Sequence, residues 1–450
     1  MLRLFDTARG EVVPFEPREP GKVSLYVCGP TVDGPPHIGH GRFTLVFDVL
    51  RRYLEWCGNE VRHVSNITDV DDKIIARAQG SGRDVAEVSS ANEALWYEAM
   101  DAIGVKRPTV DPHATAYIGD MVALVERLVG LGAAYETADG VYFSAERVAD
   151  YGLLARQSID SLRVGARVEA LDEKRSPVDF ALWKKAKPGE PSWESPWGPG
   201  RPGWHTECVV MALDLLGAEF DLHGGGQDLA FPHHENERAQ AVATGRRYAR
   251  HWVHNGFVEV EGEKMSKSLG NFTNLADLIA SVDPRAYRLL VLRAHYRTPI
   301  DVDRASTADA AAALQRLDAF ARRSSDLPGA EPAPEALARF PAAMDDDLDT
   351  PAVVSLIFDL VRSGNSLLDE GRREEAAPVA AAVAEISGAV GLELRAGADE
   401  VPAAVADVAR RRDEARAARE WATADALRDR LQADGWVVED TPAGTTVRRR

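Results

Sequence analysis

Two short clusters carry residue types suited to phosphate chemistry. His37-Ile38-Gly39-His40 follows a turn-rich stretch, Gly29 to Pro36, and opens a run with helical spacing. A helix N-terminus offers free N–H groups and a partial positive charge to an anion. Two imidazoles three residues apart lie on one side of that first turn, where they can stabilise charge growing on a phosphoryl group. Gly39 leaves bare backbone against which a flat base can lie. The second cluster is Lys264-Met265-Ser266-Lys267-Ser268, with Gly262 before it and Gly270 after it. Two lysines in a Ser-rich loop suit the β- and γ-phosphates of a nucleotide, and would pull hardest as pyrophosphate leaves. Surface histidines at a helix cap and solvated lysines are the ordinary alternatives; the pair in this order argues against them.

These clusters need a scaffold. Val23 to Cys28 reads as a buried strand, Ile38 to Trp56 as the helix after its loop, and Val61 to Ile67 as a second strand, followed by an Asp-rich helical segment from Asp69. A βαβ start predicts a parallel sheet with ligands at the carboxyl ends of its strands. Helical patterns cover Val85–Ile103 and Ala116–Gly130. Tyr135 to Gly203, rich in Pro, Gly and Trp, reads as an irregular insertion. Strand character returns at Phe220–His223 and Trp252–His254. From Ala305 the chain is Ala/Arg/Leu-rich and helical, with a Pro-rich break at Pro328–Pro334 and helices at Pro351–Asp369 and Ala376–Val390, as in a bundle. One helix over Val405–Asp434, stopped by Gly435, and a β-hairpin complete the pattern.

At 450 residues the chain exceeds one ordinary core. Hydrophobic residues make up 45% and charged residues 28%, as in soluble globular proteins. No apolar run approaches the ~18 residues of a membrane span, and Met1-Leu-Arg-Leu-Phe-Asp6 does not resemble a signal peptide; a cytoplasmic location and no membrane partner are expected. Cys28, Cys57 and Cys208 are too few and too scattered for a disulfide framework. Cys57, closing an apolar helical stretch, reads as a buried thiol. A net charge of −18 opposes bulk electrostatic binding of nucleic acid. From Ala404 onward, however, ten arginines face nine acidic residues, a net of +1, so the preceding body carries −19.

The histidine and lysine clusters resemble the two signature motifs of class I aminoacyl-tRNA synthetases. Their surroundings narrow the resemblance to the cysteinyl-tRNA synthetases: Tyr26-Val-Cys-Gly-Pro-Thr-Val32, Asn66-Ile-Thr-Asp-Val-Asp-Asp-Lys73, Gly203-Trp-His-Thr-Glu-Cys208, His223-Gly-Gly-Gly226, Phe231-Pro-His-His-Glu-Asn-Glu237 and Gly262-Glu-Lys-Met-Ser-Lys-Ser-Leu-Gly-Asn271. The resemblance spans nearly the whole chain. It implies an α/β fold: a Rossmann-type doubly wound parallel sheet with an inserted domain, then an α-helical bundle and a small α+β C-terminal anticodon-binding module. The expected segments are 1–115 and 203–255 for the two halves of the catalytic domain and 116–202 for the insertion between them. The lysine-motif and stem-contact region would be 256–304, the bundle 305–398 and the anticodon module 399–450. The implied reaction is ATP-dependent ligation of L-cysteine to tRNA(Cys) through a cysteinyl adenylate, with Mg²⁺ accompanying ATP and the 2′-hydroxyl of the terminal ribose attacking. A monomer is expected from the family.

The same resemblance implies that Cys28, Cys208, His233 and Glu237 bind one Zn²⁺ per subunit. Spacing alone could not declare ligands drawn from three distant segments, although His233 and Glu237, four apart, share one face of a helical turn. Thiol, imidazole and carboxylate all suit zinc. His37, His40, Lys264 and Lys267 would serve catalysis, and Gly39, Gly224, Gly225, Gly226, Asp228 and Lys267 would meet ATP, with His223 and His234 adding donors around the phosphate. Thr31, Thr68 and Trp204 would line the cysteine pocket. Arg416 and Asp425 resemble positions that read anticodon bases, whereas Trp421 is expected to pack on the terminal hairpin. Asp33-Gly34-Pro35-Pro36 departs from a Tyr-Asp common in relatives, and Thr206 replaces a usually apolar residue. Two rival readings remain. A cysteine:amino-sugar ligase of mycothiol synthesis would lack the anticodon module, and a non-catalytic tRNA-binding paralogue would not need His37, His40, Lys264 and Lys267.

Overall fold

A computed structural model describes residues 1–165, 173–260, 263–264, 274–397, 403–441 and 444–449. The apolar run after Gly21 forms the strand Lys22–Val27, and Glu60–Ser65, Phe220–Gly226 and Ala249–Asn255 join it in one parallel sheet. Val23, Leu25, Tyr26 and Val27 are all buried, as expected of a parallel strand covered on both faces. The order across the sheet is Ala249–Asn255, Phe220–Gly226, Lys22–Val27, Glu60–Ser65. The chain leaves Lys22–Val27 toward one edge and later returns on its other side. Between Lys22–Val27 and Phe220–Gly226 the winding reverses, which opens a crevice at their carboxyl ends.

The Ile38–Trp56 helix links the first two sheet strands and buries Leu45, Val46, Phe47, Val49, Leu50, Tyr53 and Leu54. Two arginines fix its position. Arg42 donates to the carbonyl oxygens of Phe257, Tyr296 and Thr298. Arg288, from the Pro284–Leu292 helix, lies 2.6 Å from Asp48, and both side chains are buried. Burial opposes ionisation of Asp48, but Arg288, Arg52 and the Lys106 N–H outweigh it and hold the carboxyl below its usual range.

The Tyr135–Gly203 stretch is more regular than its composition predicts. Ala134–Glu136, Gly140–Phe143, Phe180–Lys185 and Gly200–Pro202 form a four-stranded antiparallel sheet, with Val141, Phe143, Phe180, Leu182 and Trp183 in its core. Three of its strands have only three or four residues, and beyond the first hairpin Gly140–Phe143 pairs with the distant Phe180–Lys185. Helices Arg304–Arg323, Pro334–Met344, Thr350–Asp369 and Arg373–Ala389 follow and pack around Phe320, Phe340, Ile357 and Ile386.

Three expectations are corrected. The single helix over Val405–Asp434 is two, Ala403–Ala417 and Trp421–Ala433. Arg419 turns to φ +60 between them, and the Glu420 N–H closes on the Ala415 carbonyl. No Gly or Pro marks the break; what the bend gains is the packing of Val408, Leu431 and Trp436 into one small core. Trp421 is therefore not the tryptophan on the hairpin: it is 60% exposed, and Trp436 is buried instead. Cys57, the C-cap of the Ile38–Trp56 helix, is exposed.

Thr206 is fully buried, and its hydroxyl has no hydrogen-bond partner among the described residues. Valine has the same shape and removes the orphaned group. Thr206→Val is expected to raise stability by about 1 kcal/mol, read as a higher urea midpoint. Among the described residues no helix is long and apolar enough to cross a membrane.

Candidate active site and metal centre

A cleft of about 830 Å³ opens at the carboxyl ends of the sheet strands. Its lining follows directly from them: Cys28 to Thr31 after the first strand, Gly226 and Asp228 after the third, and Asn255 to Val258 after the fourth. His37, Gly39 and His40 enter from the start of the Ile38–Trp56 helix. Gly29 is required by closeness, because a Cβ there would lie 1.7 Å from the Asn66 carbonyl oxygen.

His37 and His40 form a reciprocal cap. The His40 N–H donates to His37 Nδ1 and the His37 N–H to His40 Nδ1, both at 3.3 Å. The rings stack with centroids 3.5 Å apart, and Trp96 meets His40 edge-on at 5.3 Å. With each Nδ1 accepting, each neutral ring carries its proton on Nε2. The motif thus builds a pair of fixed N–H donors at a positive helix end that faces the cleft.

Beside Cys28, which lines the cleft, Cys208, His233 and Glu237 converge, all four buried. Their ligating atoms lie within 4.8 Å of one another. Cys28 Sγ is 3.7 Å from Cys208 Sγ, far beyond a disulfide bond. It is 3.3 Å from Glu237 Oε1, which is 3.1 Å from His233 Nε2. Burial, with Cys208 and Glu237 beside it, pushes the Cys28 thiol well up, and burial also raises Cys208. Burial lowers His233 to about 4. Burial would raise Glu237, but His223 and His233 hold it below the usual range. Two thiols, a neutral imidazole and a carboxylate packed this tightly need a cation to make thiolates favourable. The donor set fits a metal ion.

Polar groups behind the cluster fix its members. Trp204 stacks on His233 with centroids 4.0 Å apart. His205 Nδ1 lies 2.9 Å from His233 Nδ1; with Nε2 facing the cluster, His233 donates and His205 accepts. Asn66 Oδ1 accepts from the Gly29 N–H at 2.9 Å and the Tyr26 hydroxyl at 3.2 Å. Its amide donates to Thr68, which donates to Glu207.

The structure brings Thr31, Trp204, Gly226 and Asp228 to the same cleft as the histidine motif and Cys28. Thr68 is buried behind Thr31, its neighbour across a backbone bridge. Gly224 and Gly225 are buried, where a Cβ would lie 2.2 Å from Phe47 and 2.9 Å from His234; their lack of a side chain admits neighbouring side chains. His223 and His234 are buried beside the candidate metal cluster: His223 bonds Glu237 and His234 bonds His254, at 2.7 and 2.8 Å. Lys264 sits in the short strand Glu263–Lys264, paired with Val258–Val260; Lys267 lies outside the described residues. Arg416 and Asp425 fall on different helices of the C-terminal module, with Asp425 3.2 Å from Arg428. His205 and Tyr248 escaped sequence reading. His205 sits inside the Gly203–Cys208 motif and could have been flagged, whereas nothing in the spacing marks Tyr248.

A reversing parallel sheet, a histidine pair at a helix start and a cleft at the strand ends define the architecture of a class I aminoacyl-tRNA synthetase. Solved structures share it: methionyl-tRNA synthetase of Mycobacterium tuberculosis in complex with methionyl-adenylate has a TM-score of 0.59 at 16% identity, over 82% of this chain and 89% of that one. A putative arginyl tRNA synthetase from Campylobacter jejuni has a TM-score of 0.57 at 13% identity, over 85% and 95%. Residues 14–312 match the family model of the class I (C) tRNA synthetase catalytic domain, 339–395 the DALR domain, and 398–448 the cysteinyl-tRNA ligase anticodon binding domain. Over the full length of both chains the sequence is 45% identical to a cysteine–tRNA ligase of Yersinia enterocolitica and 43% identical to one of Syntrophotalea carbinolica. The chain belongs to the cysteinyl-tRNA synthetase family.

Proposed function

We infer that this family member activates L-cysteine with ATP and transfers it to tRNA(Cys), in the cytoplasm and as a monomer. The single observation that carries the selectivity is the buried quartet of Cys28, Cys208, His233 and Glu237, which meets the cleft at Cys28. Two thiols, one imidazole and one carboxylate oxygen make a set that zinc favours. When bound there, zinc supplies an electrophile for a thiolate that a serine hydroxyl cannot match. An apolar pocket separates such near-isosteres by only ~1–3 kcal/mol, whereas one obligatory polar contact does far more.

The chain's own residues do the rest. Thr31 and Trp204 bound the pocket beside Cys28, and Trp204 keeps the imidazole of His233 in place by stacking. His37 and His40 present Nε2–H donors where charge grows on the α-phosphate. Gly39 admits the base, and Asp228 accepts from ribose hydroxyls. Lys264 and Lys267 hold the outer phosphates, with Mg²⁺ alongside. Positioning and electrostatics, without a covalent enzyme intermediate, suffice for adenylate formation. The segment division given above assigns 1–115 and 203–255 to this chemistry and 399–450 to the anticodon.

The match of 398–448 to an anticodon-binding family model disfavours an amino-sugar ligase, and the histidine pair in a formed cleft disfavours a non-catalytic paralogue. In the C-terminal module Arg416 ends the first helix and the exposed Trp421 begins the second, a combination suited to stacking and edge contacts with splayed bases. Arg416→Ala is expected to lower kcat/KM for charging tRNA(Cys) roughly ten- to a hundredfold, while cysteine-dependent ATP–pyrophosphate exchange stays at the parent rate. Unaltered charging would remove Arg416 from the anticodon contacts. A charging assay with purified tRNA(Cys), cysteine and ATP, with serine as control, tests the whole reading.

A further inference from the structure

Glu237 has two oxygens, and the structure treats them differently. Oε1 faces the other three candidate ligands, 3.3 Å from Cys28 Sγ and 3.1 Å from His233 Nε2. Oε2 is turned away and engaged twice: His223 Nε2 lies at 2.7 Å, and the Tyr248 hydroxyl at 2.9 Å. That hydroxyl also reaches the Cys208 carbonyl oxygen at 3.1 Å, so one donor touches the segments of two ligands. All of these side chains are buried.

We propose that His223 and Tyr248 are positioning residues that restrict Glu237 to one-oxygen ligation, keeping a coordination position open for the substrate thiolate. The inference rests on the zinc reading of the quartet. A carboxylate can bind a metal through one oxygen or through both. Two-oxygen binding by Glu237 would fill, from within the protein, the fifth position that a catalytic zinc site reserves. Hydrogen bonds from an imidazole N–H and a phenol occupy the lone pairs that such binding would need. His223 acts as donor here, not as ligand. A second grouping of Cys28, His223, His234 and Glu237 is also compact, but it would cost the 2.7 Å bond to Glu237.

The test uses the full-length protein loaded with cobalt(II) in place of zinc. Four-coordinate cobalt(II) absorbs visible light far more strongly than five-coordinate cobalt(II). The parent protein should show the strong band, which weakens when cysteine binds. Tyr248→Phe, which removes one hydroxyl, should show a weaker resting band, and the His223→Leu/Tyr248→Phe double variant weaker still. In the double variant cysteine binding should fall roughly ten- to a hundredfold, with stoichiometric cobalt and parental ATP affinity. Parental band intensity and parental cysteine affinity in both variants would overturn the proposal. Loss of cobalt from His223→Leu alone would assign His223 to the metal and overturn it too. Equal losses of cysteine and ATP affinity would show a purely structural role. A parent band indifferent to cysteine would instead defeat the zinc–thiolate reading, while the resting bands would still report how Glu237 binds.

Discussion

Stripping the metal with a chelator is expected to raise the dissociation constant for cysteine roughly 10²–10³-fold and to leave that for ATP within about twofold. The asymmetry follows from where the groups lie. The proposed thiol-binding cluster is Cys28, Cys208, His233 and Glu237, of which Cys28 reaches the cleft wall. The residues proposed to meet the nucleotide, His37, Gly39, His40, Gly226 and Asp228, line the cleft without belonging to that cluster. Without a cation the nearest groups to an incoming thiol are two protonated thiols, whose ionisation burial opposes. They offer a substrate sulfur no charge and only weak hydrogen bonds. In the proposed pocket Trp204 and Thr31 would supply shape, which serine would fit equally well. Titration calorimetry of metal-free and zinc-reconstituted protein with cysteine, then with ATP, measures both constants. Unchanged cysteine affinity in the metal-free protein would sink the proposed basis of selection.

His40→Ala is expected to slow cysteine-dependent ATP–pyrophosphate exchange roughly 10²–10³-fold. Cysteine affinity should stay within about threefold of the parent value. His40 accepts the His37 backbone N–H through Nδ1 at 3.3 Å, and its proposed role is donation from Nε2 to charge that appears only as the α-phosphate is attacked. A donor aimed at developing charge acts on the rate and not on ground-state binding. The same substitution breaks half of a reciprocal cap, at a cost of about 1 kcal/mol in stability, so rates need comparison well below the unfolding range. His40→Asn separates the two effects, since a short amide restores a cap but does not reach as an imidazole does. Exchange rates equal to the parent's would take the histidine pair out of the transition state.

Much of the site could be read in advance because its signals are local. His37-Ile-Gly-His40 needs only a strand, a loop and a helix in succession, and the Lys22–Val27 and Ile38–Trp56 elements supply them. The βαβ succession also foretold the parallel sheet, which Lys22–Val27 and Glu60–Ser65 form on either side of the connecting helix. The inserted antiparallel sheet was not legible, because strands of three to six residues draw stability from partners that local patterning does not identify. The break at Arg419 lacked a breaker residue, and only the joint burial of Val408, Leu431 and Trp436 favours it. Trp421 was misassigned for that reason: which tryptophan enters the small core depends on where the chain turns back.

Residue type and order along the chain settled the family, the succession of strand, loop and helix, and the supply of thiol, imidazole and carboxylate donors. Tertiary structure alone decided that Cys28 and Cys208, 180 residues apart, share one point with His233 and Glu237. It alone turned one oxygen of Glu237 inward and the other toward His223 and Tyr248. Local propensity acts over a few residues, whereas the direction of a buried lone pair is set by every group packed around it, wherever in the chain that group lies.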